Sequence, residues 1–196
     1  STRKESSAAS DVYKRQGERM NLKIRKEKRE DYSFTERLIK EAFAHETYSD
    51  HNEHKLVAKL RQSDTFVPDL SLIALDKNKI IGQILLSKIS IVSGKNSTGS
   101  LALAPVSVLS AYQNKGVGRQ LIQKALETAK NLNFESVIVL GHSDYYPKFG
   151  FKKASNWNIE APFDVPKDTL MAMELKEHAL DNVSGVIHYP NAFFES

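Results

Sequence analysis

Between residues 22 and 190 the chain switches between apolar stretches with a period of two and longer ones with a period of three to four. The segment LKIRK (22–26) has the alternation of a half-buried strand. A helical pattern follows in which Phe34, Leu38, Ala42 and Phe43 would share one face, with Asp31 or Ser33 as its cap. The polar stretch HETYSDHNEH (45–54) leads into a shorter helix carrying Leu56, Val57 and Leu60, with Asp50 or Asn52 as the expected cap. Residues 70–92, LSLIALDKNKIIGQILLSKISIV, are two strands rich in Ile and Leu around Asp76-Lys77-Asn78-Lys79, which predicts a hairpin. A loop is expected at 93–99, then another strand, SLALAPVSVL (100–109).

Pro105 falls inside that last strand. Proline donates no ladder hydrogen bond, so the strand should bulge or distort there. After Gly116, the residues Val117, Leu121, Ala125, Leu126, Ala129 and Leu132 keep helical spacing for about four turns. SVIVL (136–140) is again strand-like. Strand, helix, strand in this order implies a right-handed crossover with strands 100–109 and 136–140 parallel. LMAMEL (170–175) and GVIHYP (185–190) add further strands.

Composition narrows the reading. With 196 residues and 40% hydrophobic content, the chain can bury one sizeable core, so residues 20–196 are expected to form a single domain. Residues 1–19 are polar, lack periodicity and precede Met20; they read as a disordered leader or a cloning remnant. The net charge of +4 is too small and too scattered for a nucleic-acid face. No apolar run reaches the ~18 residues of a membrane helix, and a cytoplasmic location with no membrane partner is expected. Cysteine is absent, which removes disulfides, thiolate metal sites and a cysteine nucleophile. His51-x-x-His54 departs from a zinc-binding His-Glu-x-x-His and reads as a solvated helix start, so no metal is expected.

Two segments carry candidate chemistry. In QNKGVGRQL (113–121), glycines stand at the opening of a helix, where unpaired backbone N–H groups and the helix dipole favour an anion such as a phosphate. Lys115 and Arg119 add formal charge. Taken alone, Gly-x-Gly suits a plain strand-to-helix turn better than a phosphate site. No Lys-Ser/Thr follows to make a Walker loop, and Leu121 stands where a dinucleotide fingerprint has its third glycine. The second segment is YYPKFGF (145–151), whose Gly150 should support a backbone shape that a side chain would obstruct.

Together these segments resemble the GNAT acetyltransferase superfamily. Gln113, Gly116 and Gly118 form a Gln-x-x-Gly-x-Gly pattern between a proline-distorted strand and a long helix, and YYPKFGF follows the next strand. GHSDYYPKFGF, with LAPVSVL before it and APFDVP after, is similar to the YhbS-like branch of that superfamily. The resemblance covers roughly residues 22–194 and is most specific over 100–151. It implies an α/β fold with a mixed, mostly antiparallel sheet, a V-shaped split between central strands and helices on both faces. It also implies acetyl-CoA as cosubstrate, its pyrophosphate held by Gln113, Asn114, Lys115, Gly116, Val117, Gly118 and Arg119. The pantetheine arm would pair with the backbone of Val106, Ser107 and Val108 as an added strand.

Tyr146 then becomes the expected proton donor to the departing CoA thiolate, with Tyr145 packing beside it. Many GNAT enzymes take a Glu or Asp from the bulged strand as base, but SLALAPVSVL contains none. His142, close after the strand 136–140 and beside Asp144, is the candidate in its place. Glu46, Asp50 and Glu53 read first as a plain solvated loop, with attraction of a cationic acceptor toward the cleft as the alternative. The implied function is acetyl transfer to a primary amine of a small molecule or peptide, by direct attack in a ternary complex because no cysteine exists to carry an acyl group. A non-catalytic acyl-CoA-binding module is the alternative, and a homodimer is left open.

Overall fold

The computed structural model describes residues 20–195; the leader expected at 1–19 lies outside the described residues. β1 (Leu22–Lys26) is followed by α1 (Tyr32–Phe43) and α2 (Glu53–Leu60), then by β2 (Phe66–Asp76), which pairs antiparallel with β1. The chain reverses at Lys77-Asn78, both at positive φ (47° and 70°) as a two-residue hairpin turn requires, and enters β3 (Lys79–Ser93). β4 (Asn96–Val108) returns directly along β3. Ser93 pairs with Asn96 and Val92 with Ser97, so the expected loop at 93–99 is instead the end of a long hairpin. These strand ends are largely exposed and polar, which leaves no apolar alternation for the sequence to display.

The remainder is α3 (Val117–Asn131), β5 (Ser136–Leu140), the two-residue strands β6 (Lys152–Lys153) and β7 (Ile159–Glu160), then β8 (Leu170–Glu174) and β9 (Gly185–His188). The sheet runs β1-β2-β3-β4-β5-β8-β6. β9 joins the far end of β3, at Ser90–Val92, and carries β7 on its other side. All pairings are antiparallel except β4 with β5 and β7 with β9.

Register separates the two faces. Ile24, Ala74 and Gly82 lie side by side, and a Cβ on Gly82 would come within 3.1 Å of Leu121 and 3.2 Å of Val117, so α3 packs on that face. Arg25, Ile73 and Gln83 point the other way. There the Arg25 guanidinium donates to both oxygens of Asp31, at 2.7 and 3.0 Å, just before α1. Asp31 occupies the cap position of α1, yet its carboxylate is spent on Arg25 and on the Lys28 N–H (2.8 Å) rather than on the helix.

The buried stripe of α1 is Thr35, Leu38 and Ile39, while Phe34, expected inside, is 56% exposed. A polar residue holds the inner position because the Thr35 hydroxyl bonds back to the Asp31 carbonyl at 3.1 Å. Arg61, directly after α2, reaches Glu27 at 2.9 Å and Glu36 at 2.7 Å and lies over the Tyr32 ring, which fixes both helices to the end of β1. On α3 the inner face is Leu121, Ile122, Ala125, Leu126 and Ala129. Farther along the α1/α2 face, Ile89, Ile91, Ala102, Ile138, Ala172 and Ile187 form a second apolar cluster beneath the C-terminal segment.

Pro105 acts as its chemistry demands. The register passes from Leu103 opposite Leu86 to Val106 opposite Ile84, so Ala104 and Pro105 together face Leu85 in a bulge. β4 and β5 meet only at Leu101 with Val137 and Ala102 with Ile138. Beyond Ala102 the two strands part, and among the described residues no strand pairs with that side of β4. This is the V-shaped opening.

Candidate functional site

The segment 113–119 opens α3 at the fork. Gly116 stands immediately before the helix with φ +82°, a left-handed conformation in which a side chain is strained, and Asn114 is also left-handed (φ +61°). The Gln113 side-chain amide donates to the Val108 carbonyl at 3.2 Å, tying the loop to the end of β4. That bond gives the glutamine of the motif a structural reason. The first backbone bond of the helix runs from Gln120 N–H to the Gly116 carbonyl (3.1 Å), so the N–H groups of Val117, Gly118 and Arg119 precede it and remain for an anion.

These residues border a cavity of about 1040 Å³ on the α3 face. It brings together Gln113, Asn114, Lys115, Gly116, Val117, Gly118 and Arg119 with Val106 and Val108 of β4 and with His142. Ser107 is different: its side chain turns to the opposite face, where Gln83 Nε2 donates to its Oγ at 2.9 Å and to the Pro105 carbonyl at 3.3 Å. Only its backbone faces the fork. Neither Lys115 nor Arg119 takes part in an ion pair among the described residues, so both charges are free for a ligand.

Two further residues shape the cavity without having been singled out from the sequence, and a third does so in a role the sequence did not assign it. Tyr112 carries Lys115 Nζ 5.8 Å above its ring and stands just before Gln113. Ile122 supplies an apolar wall. Tyr145, expected only to pack, lines the cavity, and a Cβ on Gly118 would lie 3.8 Å from its hydroxyl and 3.7 Å from Val108. Gly118 therefore stands where α3, β4 and the tyrosine come together, with space for an added methyl at ordinary contact distance. Burial pushes the Tyr145 phenol up, opposed by the nearby Arg119 charge.

Tyr146 lies deeper, 7% exposed, edge-on to Tyr145 and Phe151. Burial first, and then Tyr145, push its phenol up to about 12. The ring covers Gly141 so closely that a Cβ on that glycine would fall inside it. Gly141 reads in the sequence as no more than the end of a strand, since a contact between side-chain ring and backbone leaves no mark in periodicity. Gly150, at φ +109°, closes the 3-10 turn Tyr146–Phe149, as its place in YYPKFGF suggests. His142 is exposed at the mouth, its carbonyl accepting from the Tyr145 and Tyr146 N–H groups. In the other histidine pair, His51 is exposed, whereas His54 has a buried Nδ1 with no hydrogen-bond partner among the described residues, so the pair is not simply a solvated helix start.

Residues 25–151 match the acetyltransferase (GNAT) family. The chain belongs to that family. The uncharacterized N-acetyltransferase YjhQ of Escherichia coli K12 is 35% identical over 117 residues, covering 59% of this chain and 65% of YjhQ, just under two thirds of that protein. The uncharacterized N-acetyltransferase YhbS of the same strain is 27% identical over 154 residues, 78% of this chain and 90% of YhbS. The crystal structure of E. coli YhbS in complex with CoA has a TM-score of 0.81 at 23% identity, covering 90% of this chain and 94% of that one. A GNAT acetyltransferase from Brucella melitensis in complex with acetyl-CoA gives 0.73 at 28% identity, covering 89% and 99%. The split mixed sheet is the GNAT fold. Among the described residues no helix is long and apolar enough to cross a membrane, and no group of three or more acidic or histidine side chains is placed to hold a metal ion.

Proposed function

We propose that this GNAT protein transfers the acetyl group of acetyl-CoA to a primary amine in a ternary complex. The observation that carries this is the loop of residues 113–119, with two cations that form no ion pair among the described residues, set beside the open edge of β4. As a cradle it fits the cosubstrate: left-handed Asn114 and Gly116 turn the chain around an anion, and the gap at Gly118 leaves room for a backbone-to-phosphate approach. When bound, acetyl-CoA supplies an activated thioester. The N–H groups at the start of α3, with Lys115 and Arg119, hold the pyrophosphate, and the backbone of Val106, Ser107 and Val108 pairs with the amide-bearing arm.

With no cysteine in the chain, direct attack by the amine is the simplest route. Tyr146, whose phenol stays protonated far above neutral pH, donates to the leaving sulfur, and Tyr145 walls the arm's channel. His142 at the mouth takes the proton shed by the amine. Supporting the rival reading, a non-catalytic acyl-CoA sensor, is the absence of any carboxylate on β4.

Melting curves with increasing acetyl-CoA, followed by a thiol assay of CoA release with a panel of amines, test the proposal. We expect a concentration-dependent rise in Tm, because a ligand bound only by the native state stabilises it by mass action, and release of CoA with at least one amine. A Tm unmoved by millimolar acetyl-CoA overturns the assignment, and a shift without acetylation of any amine favours the sensor.

A further inference from the structure

On the other face of the same fork lies a smaller cavity, of about 220 Å³, whose floor includes Ala104, Pro105 and Leu140. Ala104 and Pro105 form the bulge of β4, and Leu140 ends β5, so this cavity views the opening from the side opposite the phosphate cradle. Its walls are aromatic. Phe163 comes from one stretch of the C-terminal third and Tyr189 and Phe194 from another, with Phe163 stacked on Tyr189 at 6.0 Å and 22° and Phe194 edge-on to both at 6.3 Å. Phe163 is 42% and Phe194 59% exposed. Large rings left in water at the rim of a concave apolar patch mark a binding surface.

Charge then selects the ligand. Glu53, the first residue of α2, is the one formally charged side chain in this lining, and no Lys, Arg or His accompanies it. The Ser49 hydroxyl donates to the Glu53 carboxylate and helps to orient it. The preceding loop also carries Glu46 and Asp50. Size is compatible with this choice. A dry cavity of roughly 150 Å³ accommodates a benzene ring, so this one has room for a ring with a short stem.

We infer that this cavity is the acceptor site and that it takes a primary amine on a short stem bearing a flat apolar group, an arylalkylamine in chemical class. The inference rests on the transferase reading above. Phe163, Tyr189 and Phe194 hold the ring, and Glu53 attracts the ammonium to the fork. There the amine, once deprotonated, attacks through the opening: the N–C bond to the acetyl carbonyl carbon forms, the C–S bond breaks, and the proton the nitrogen loses is balanced by the one sulfur gains. An amide and a thiol result.

The test compares 2-phenylethylamine, spermidine and Nα-acetyl-lysine as acceptors for the full chain with acetyl-CoA, read by CoA release. We expect kcat/KM for 2-phenylethylamine to exceed the other two at least tenfold. Phe194→Ala and, separately, Glu53→Gln should each raise its KM about tenfold while the acetyl-CoA shift in Tm stays as in wild type. The partly exposed positions make both variants safe for folding, and the retained Tm shift verifies it. Preference for spermidine or the lysine, or an unchanged KM in both variants, overturns the inference and leaves the transferase standing. No acetylation of any of the three or of a broader amine panel, with the Tm shift intact, overturns both.

Discussion

The two cavities at the fork are built in opposite ways. The side proposed for the cosubstrate's phosphates draws most of its wall from one continuous run, 112–119, completed by neighbours on β4, α3 and the turn after β5. The aromatic side gathers residues near positions 53, 104, 140, 163, 189 and 194. A recurring ligand such as a diphosphate can be met by local backbone geometry, because N–H groups at a helix start lie within a few residues of one another. A variable acceptor is met by side chains from whatever loops the fold brings near, so that surface can change without disturbing the cradle.

The sharpest way to break the comparison is Gly118→Glu. A carboxylate there fills the gap beside Val108 and Tyr145 and opposes an anion, so the acetyl-CoA shift in Tm should vanish while the unliganded protein folds normally. A retained shift would remove the cradle from the account.

Next in size is Tyr146→Phe. Loss of a general acid typically costs ~10²–10⁴ in turnover, and acetyl-CoA affinity should hardly change because the ring remains. Tyr145→Phe, on the cavity wall, should cost much less. Single-turnover rates that fall equally in both variants would deny Tyr146 its separate role.

Gly141→Ala tests the same residue through packing. The added methyl must push the Tyr146 ring aside, at about 1–3 kcal/mol of stability. We expect a lowered Tm and a turnover loss larger than that of Tyr145→Phe, with cosubstrate binding kept. Wild-type turnover in this variant would mean that the ring position is immaterial.

The smallest effect belongs to a pair outside the fork. Arg25 first, and then a backbone bond from Lys28, hold the Asp31 carboxyl below its ordinary 3.8 against the cost of burial. A lowered folded-state value means that the contribution is present above the unfolded value and is lost as pH falls through the folded one. Asp31→Asn should therefore destabilise the protein by about 1–3 kcal/mol at neutral pH, and chemical denaturation curves of variant and wild type should converge below pH 3.8. A gap that persists into strong acid would assign the effect to shape instead of charge.

Much was legible along the chain. Period-two and period-3.6 patterns placed β1, the β2–β3 hairpin, α3 and β5, because each buries one regular stripe whose spacing the sequence must carry. The glycine at the helix start was legible for a related reason: a left-handed residue at Gly116 is a demand that glycine answers best. Pro105 announced the bulge by lacking a donor.

Features with a local cause could be read along the chain: most of the strand and helix stripes, the left-handed turn at Gly116 and the break in β4. Tertiary structure alone decided that Tyr145 lines the cavity beside α3 and β4, and that Phe163, Tyr189 and Phe194 gather with Glu53 on one side of the fork. The physical reason is contact separation. Side chains more than a hundred residues apart leave no periodicity where each stands, and only the packing of the sheet, with β9 crossing back to β3, brings them to one surface.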